Sequence, residues 1–271
     1  MRFSFLFPEP IGDLDELDRR MGLLAALGYG GVELSAFHPM PYPVEAVAGL
    51  AEKHRLPVVS MLSGWSYSAE NLCLSSPDAT VRYHAAARLV DYVGHAAALK
   101  SLLVVGLMQG LRSDEPDGSE ANGRIARALH QVCQVAEKRG VTLVIEPVNH
   151  LQVGFNHTVA EASAMADRVG SPALGVMLDT FHMNIEEPSV VETVRLHAPR
   201  ARHFHLCETN GGLFGTGGLD FRRVLSALVE AGYDRVASIK VYRGCGWEEA
   251  ARSSAAFLRG LGFGDFAGPS R

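Results

Sequence analysis

Short apolar runs alternate with stretches of helical period from one end of the chain to the other. Residues 2–7 (RFSFLF) form the first run, and Leu14, Leu17, Met21, Leu24 and Leu27 follow at the three- and four-residue steps of one helix face. Gly28 and Gly30 punctuate the chain before a second strand at 31–35. The alternation predicts further strands at 56–62 and 101–107, and helices near 43–55, 77–99 and 120–139. Gly140 stands where a helix C-cap glycine belongs. Four more strands end at Glu146, Asp179, His205 and Lys240, with helices near 157–169, 188–197, 220–231 and 247–260 between and after them.

Eight strands alternating with eight helices, with no composition break, predict an α/β single-domain (β/α)8 TIM barrel over 1–261. A flexible tail rich in Gly, Ser and Pro is expected at 262–271. An open doubly wound sheet is the alternative, but neither GxGxxG after the first strand nor a P-loop is present.

The last four strands each end in a group that binds metal or carries a proton. Their spacings of 33, 26 and 35 residues each suit one strand–helix–strand unit. In a closed parallel barrel those ends share one rim, where such barrels do chemistry. Taken singly, Glu146 reads as a paired carboxylate, Asp179 as a helix cap, and His205, on the same strand face as His203, as a core histidine. Together the two carboxylates and the imidazole form a set that suits Mn²⁺, Mg²⁺ or Co²⁺. Glu33, ending GVELS, either faces the pocket or pairs with an arginine. Trp65 and Tyr67 read as an apolar wall for a ligand or, with at least equal weight, as exposed loop aromatics or plain packing, and the loop GGLFGTGG (211–218) reads as a phosphate cradle or, with more weight, a plain surface loop.

Composition narrows the partners. A net charge of −5 argues against a nucleic-acid binder. No run approaches the roughly 18 apolar residues of a membrane helix, and Pro8 and Pro10 interrupt the N-terminus before a leader could form. Four scattered cysteines without CxxC spacing suggest a reducing, cytoplasmic setting.

IEPVN (145–149), LDTFHMNIEE (178–187) and HFHLCETN with GTGGLDF (203–221) resemble the xylose isomerase-like barrel superfamily. The likeness is greatest to its sugar phosphate isomerase/epimerase, D-tagatose 3-epimerase-like branch. The resemblance implies a divalent metal held by Glu146, Asp179 and His205, and a substrate-binding set of His182, Glu208, Asn149 and Trp65. It also implies proton abstraction next to a carbonyl of a ketose or keto-polyol, with Glu146 and Lys240 as catalytic groups.

The substrate is then a small sugar or polyol derivative, in a chain that is free to form a homo-oligomer. An inosose-dehydratase-like lyase and a non-catalytic sugar-binding barrel are the alternatives. The superfamily's DNA-repair nucleases would need more ligands and a basic face.

The chain departs from that pattern where the chemistry sits. The family's fourth metal ligand falls on Lys240, its arginine after Asn149 on His150, a later glutamate on Gln152, and an arginine after Asn210 on Gly211. These changes count against 3-epimerisation by two opposed glutamates. Three roles are open to Lys240: titrating down to act as acid or base, staying charged to hold a substrate oxyanion, or taking the metal's place.

Overall fold

The computed structural model describes residues 1–36 and 38–263. Eight parallel strands close into a barrel in sequence order. They are β1 (Arg2–Phe7), β2 (Val32–Ser35), β3 (Val58–Leu62), β4 (Leu102–Val105), β5 (Leu143–Ile145), β6 (Leu174–Asp179), β7 (Ala201–Cys207) and β8 (Val236–Lys240). The seam between β1 and β8 is paired like the rest, with Phe5 opposite Ile239, so no edge is left open.

Around it run α1 (Leu14–Ala26), α2 (Val44–His54), α3 (Trp65–Glu70), α4 (Ala79–Leu99), α5 (Gly118–Arg139), α6 (Val159–Val169), α7 (Thr180–Glu186), α8 (Val190–His197), α9 (Phe221–Glu230) and α10 (Trp247–Gly260). The barrel of the sequence reading is therefore present, with two short helices it did not contain. Both α3 and α7 follow directly on a strand end, where few residues separate strand from helix and apolar periodicity has no room to show.

Local signals set the main boundaries. Asp13, Asp78 and Asp117 cap α1, α4 and α5 by accepting backbone amides, and Thr158 with Glu161 forms a reciprocal capping box on α6. Gly140 ends α5 in the left-handed conformation. The Phe263 side chain packs against the core and its amide donates to Leu258 O. Residues 264–271 of the expected tail lie outside the described residues.

Strand alternation sorts the side chains into two layers. Phe3, Phe5 and Phe7 face outward into the main core beneath the helices. The inward positions differ around the circumference. Val104, Val144 and Met177 form a small apolar cluster with Leu62. Ser4, Glu33, His203 and Ser238 form a buried polar string on the other side.

Candidate active site

Asp179 ends β6 and caps α7, with Oδ1 accepting from Phe181 N (2.8 Å) and His182 N (3.4 Å). The bland role foreseen for it is real, and Oδ2 is left over for chemistry. Sheet register sets Asp179 beside His205, and His205 Nδ1 lies 3.2 Å from Asp179 Oδ2 and 3.3 Å from Glu146 Oε1. His205 stands two residues before the end of β7, and Glu146 one residue past β5. The three proposed ligands thus do converge.

Two neighbours fix Glu146. Gln109 Nε2 donates to its carbonyl (2.9 Å). Gly106, opposite on β4's continuation, leaves its carboxylate the space that any Cβ would fill. Its Oε1 is buried with no hydrogen-bond partner. His205 Nδ1 at 3.3 Å and Lys240 Nζ at 3.8 Å face it without well-formed hydrogen bonds, and such partial satisfaction is costly in a buried site.

Lys240 takes the centre. Its Nζ lies 2.7 Å from Asp179 Oδ2, 3.5 Å from His182 Nε2 and 3.8 Å from Glu146 Oε1. Burial alone would pull the lysine pKa down, but Asp179 and Glu146 outweigh it and hold the ammonium well above its usual range. Burial raises the Glu146 pKa, and Lys240 and His205 overcome that, so the carboxyl sits below its ordinary value and is ionised.

The two histidines differ in what backs them. Asn149 Oδ1 accepts from Leu151 N (3.1 Å), which turns its amide Nδ2 toward His182 Nδ1 at 2.7 Å. These bonds assign the remaining hydrogen of His182 to Nε2, making it a donor into the site. Burial lowers its pKa despite Asp179 nearby. His205 instead has Nε2 against Glu33 (3.0 Å to Oε1), which leaves Nδ1 facing the carboxylates.

Burial opposes charge on His205, yet Glu33, Asp179 and Glu146 together raise its pKa well above the ordinary value. Glu33 thus neither faces the pocket nor meets an arginine. It bridges His203 and His205 from 0% exposure.

Two atom clusters are compact enough to hold a metal ion, Glu146–Asp179–His182 and Glu33–His203–His205. His205 Nδ1, at 3.2 Å from Asp179 Oδ2 and 3.3 Å from Glu146 Oε1, adjoins the Glu146–Asp179–His182 cluster as well.

A cavity of about 280 Å³ opens over this floor, lined by Glu146, Gln152, His182, Lys240 and Tyr242 on one side and by Leu62, Trp65, Val104 and Leu107 on the other. Trp65, at the start of α3, is 40% exposed and lines its wall. Asn149 acts on His182 rather than on the cavity.

Glu208 needs correcting as a substrate contact. Its carboxylate accepts from Thr209 N, Leu219 N and Gly215 N (2.9, 2.9 and 3.0 Å), which folds loop 209–219 around it. The amide of Gly215 is thereby turned inward, away from any phosphate. His150 points outward to Glu186. Gly211 has φ +72°, and a Cβ there would come within 2.6 Å of Tyr242 Cζ, so the tyrosine ring excludes any longer side chain at 211. Sequence reasoning passed over Gly106, Gln109 and Tyr242, which lie between elements and carry no periodic signal.

A closed parallel barrel with carboxylates and imidazoles at the C-terminal rim defines a TIM-barrel enzyme class. The model of the xylose isomerase-like TIM barrel family matches residues 21–261, and the chain belongs to that family. It is 35% identical over 167 residues to an L-ribulose 3-epimerase of Mesorhizobium japonicum, a match covering 59% of this chain and 54% of that protein. It is 29% identical over 232 residues to a D-psicose 3-epimerase of Enterocloster bolteae, covering 82% and 75%. A solved L-ribulose 3-epimerase superposes with TM-score 0.86 at 25% identity, over 97% of this chain and 94% of the other.

Proposed function

We propose that this chain is a sugar isomerase or epimerase that removes a proton next to the carbonyl of a ketose or keto-polyol. The orphaned Glu146 Oε1, ionised on the cavity floor and facing a hydrogen-bond donor and an ammonium, carries the reading. The epimerase names of the relatives support it.

Glu146 takes the proton. His182 Nε2–H and the Lys240 ammonium meet the negative charge that develops on the substrate oxygens, from positions fixed before the substrate arrives. Asn149 keeps the donor hydrogen on the correct nitrogen of His182. Lys240, at the end of β8, stands 3.8 Å from Glu146 Oε1 and acts there as a fixed positive charge.

Glu146 Oε1, Asp179 Oδ2 and His205 Nδ1 would fit a divalent cation of the Mn²⁺, Mg²⁺ or Co²⁺ type once Nζ yields its place and His205 gives up its Nδ1 proton, with Glu33 backing the imidazole from Nε2. When bound, such an ion supplies Lewis-acid polarisation of a carbonyl and its neighbouring hydroxyl.

The charged Lys240 also favours a second reading, since an ammonium assists departure of a β-hydroxyl; loss of water would then identify a lyase. Four free cysteines support a cytoplasmic location. Light scattering tests for the homo-oligomer. Among the described residues no helix is long and apolar enough to cross a membrane.

The deciding experiment is incubation with ketoses in D₂O. Deuterium should enter at the carbon beside the carbonyl, and Glu146→Gln should lower exchange about a hundredfold or more while leaving the circular dichroism unchanged. Conversion without deuterium would replace this mechanism with an internal hydride shift.

A further inference from the structure

We infer that the natural substrate carries an apolar or aromatic substituent, and is neither a free, fully hydroxylated ketose nor a sugar phosphate. The inference rests on the reaction class above and on the two unlike halves of the cavity. Polar groups with unused capacity lie on one side only: Glu146, Gln152, His182, Lys240 and the unpartnered hydroxyl of Tyr242. The opposite wall is Leu6, Pro8, Leu62, Trp65, Val104 and Leu107.

Three serines in that wall look like exceptions, but their hydrogens are committed. Ser35 Oγ donates to Pro8 O (2.8 Å) and Ser63 Oγ to Val104 O (2.7 Å), with a longer contact from Ser68 Oγ to Gly64 O (3.5 Å). A sugar hydroxyl placed against this wall gives up its water hydrogen bonds and finds only the three serine oxygens as side-chain acceptors, with no serine hydrogen left to donate. An alkyl or aryl group there gains by leaving water. Trp65 in this wall adds an aromatic face on which such a group stacks.

Phosphate is disfavoured for a separate reason. Lys240 is the one lysine or arginine among the described residues lining the cavity, and Asp179 already holds it at 2.7 Å. Gly211, which might have carried a second cation, cannot, because Tyr242 fills that space. The amide of Gly215 is spent on Glu208. The site therefore grips one polar, ketol-bearing end and leaves the remainder against hydrocarbon.

Calorimetric titration tests this without requiring turnover. The probes are D-fructose, D-fructose 6-phosphate, and two phenyl-bearing ketoses, one substituted at C1 and one at the far end. The better phenyl ketose should bind at least about tenfold more tightly than fructose, and the phosphate no more tightly than fructose. Leu107→Gln and, separately, Trp65→Ser should each narrow that gap, the first by also strengthening fructose.

Fructose binding as tightly as both phenyl ketoses, tightest binding of the phosphate, or no binding of any probe overturns the inference. The two readings fail separately. Phenyl preference without solvent exchange at the α-carbon sinks the reaction class alone, and exchange with fructose but no phenyl preference sinks the substrate class alone.

Discussion

Gly106 leaves its neighbour room that no other residue would: an added Cβ collides with Glu146 Oε2, the carboxylate oxygen on the cavity side of β4. Gly106→Ala should keep the barrel, because the far end of a side chain yields more easily than backbone. The carboxylate would be pushed aside, and a misplacement of about 1 Å typically lowers turnover about a hundredfold. Steady-state rates beside a melting curve check this; normal turnover would mean that Glu146 is not the base.

Lys240 makes a second prediction at the same scale. Removing it leaves Asp179 and Glu146 as buried like charges, and breaking a buried pair costs about 3–5 kcal/mol. Lys240→Met should melt earlier than the parent, turn over about a hundredfold more slowly, and gain more melting temperature from added Mn²⁺, because the ion no longer competes with Nζ. An unchanged melting temperature with near-normal turnover would make the lysine incidental.

At the scale of elements, the connection after β7 is built around one side chain. Glu208 gathers the amides of Thr209, Gly215 and Leu219, and Asn210 ties back to Gly212 and Thr216. Gly211 O then accepts from Tyr242 N and Arg243 N at 3.0 Å, joining this loop to the one after β8. Glu208→Ala should therefore expose residues 209–219 to limited proteolysis while the barrel strands stay protected. Activity should fall through a higher KM as Tyr242 loses its support, with kcat less affected. Equal protease resistance in the variant would remove this role.

For the molecule as a whole, closure of the sheet and the continuous core make burial the main control on thiol chemistry. Cys73, Cys133 and Cys207 are buried and Cys245 is partly exposed. Burial pushes the Cys133 thiol up to about 11 and raises Cys207 as well. Since the thiolate is the reactive form, a thiol reagent at pH 8 should label Cys245 alone in the native protein, and all four cysteines after denaturation. Mass spectrometry of the labelled chain reads the count. Rapid native labelling of Cys207, which lies beside Lys240 in the sheet register, would show that the barrel mouth opens in solution.

The sequence by itself determined the barrel and the convergence of Glu146, Asp179 and His205. Strand and helix periods repeat locally, and a closed parallel barrel brings successive strand ends to one rim whatever lies between them. It also marked Lys240 as the departure that matters. The charge state of Lys240 was not readable, because it depends on Asp179 at 61 residues' separation and Glu146 on another strand. Glu33 could be placed on an inner face by alternation, but its partners His203 and His205 lie 170 and 172 residues away. Glu208 misled for the opposite reason: a motif position suggested substrate, and backbone amides folded onto it first. Which side of the cavity is apolar was likewise decided only by tertiary structure, since hydrogen-bond capacity is used up by contacts between strands and loops that no local pattern records.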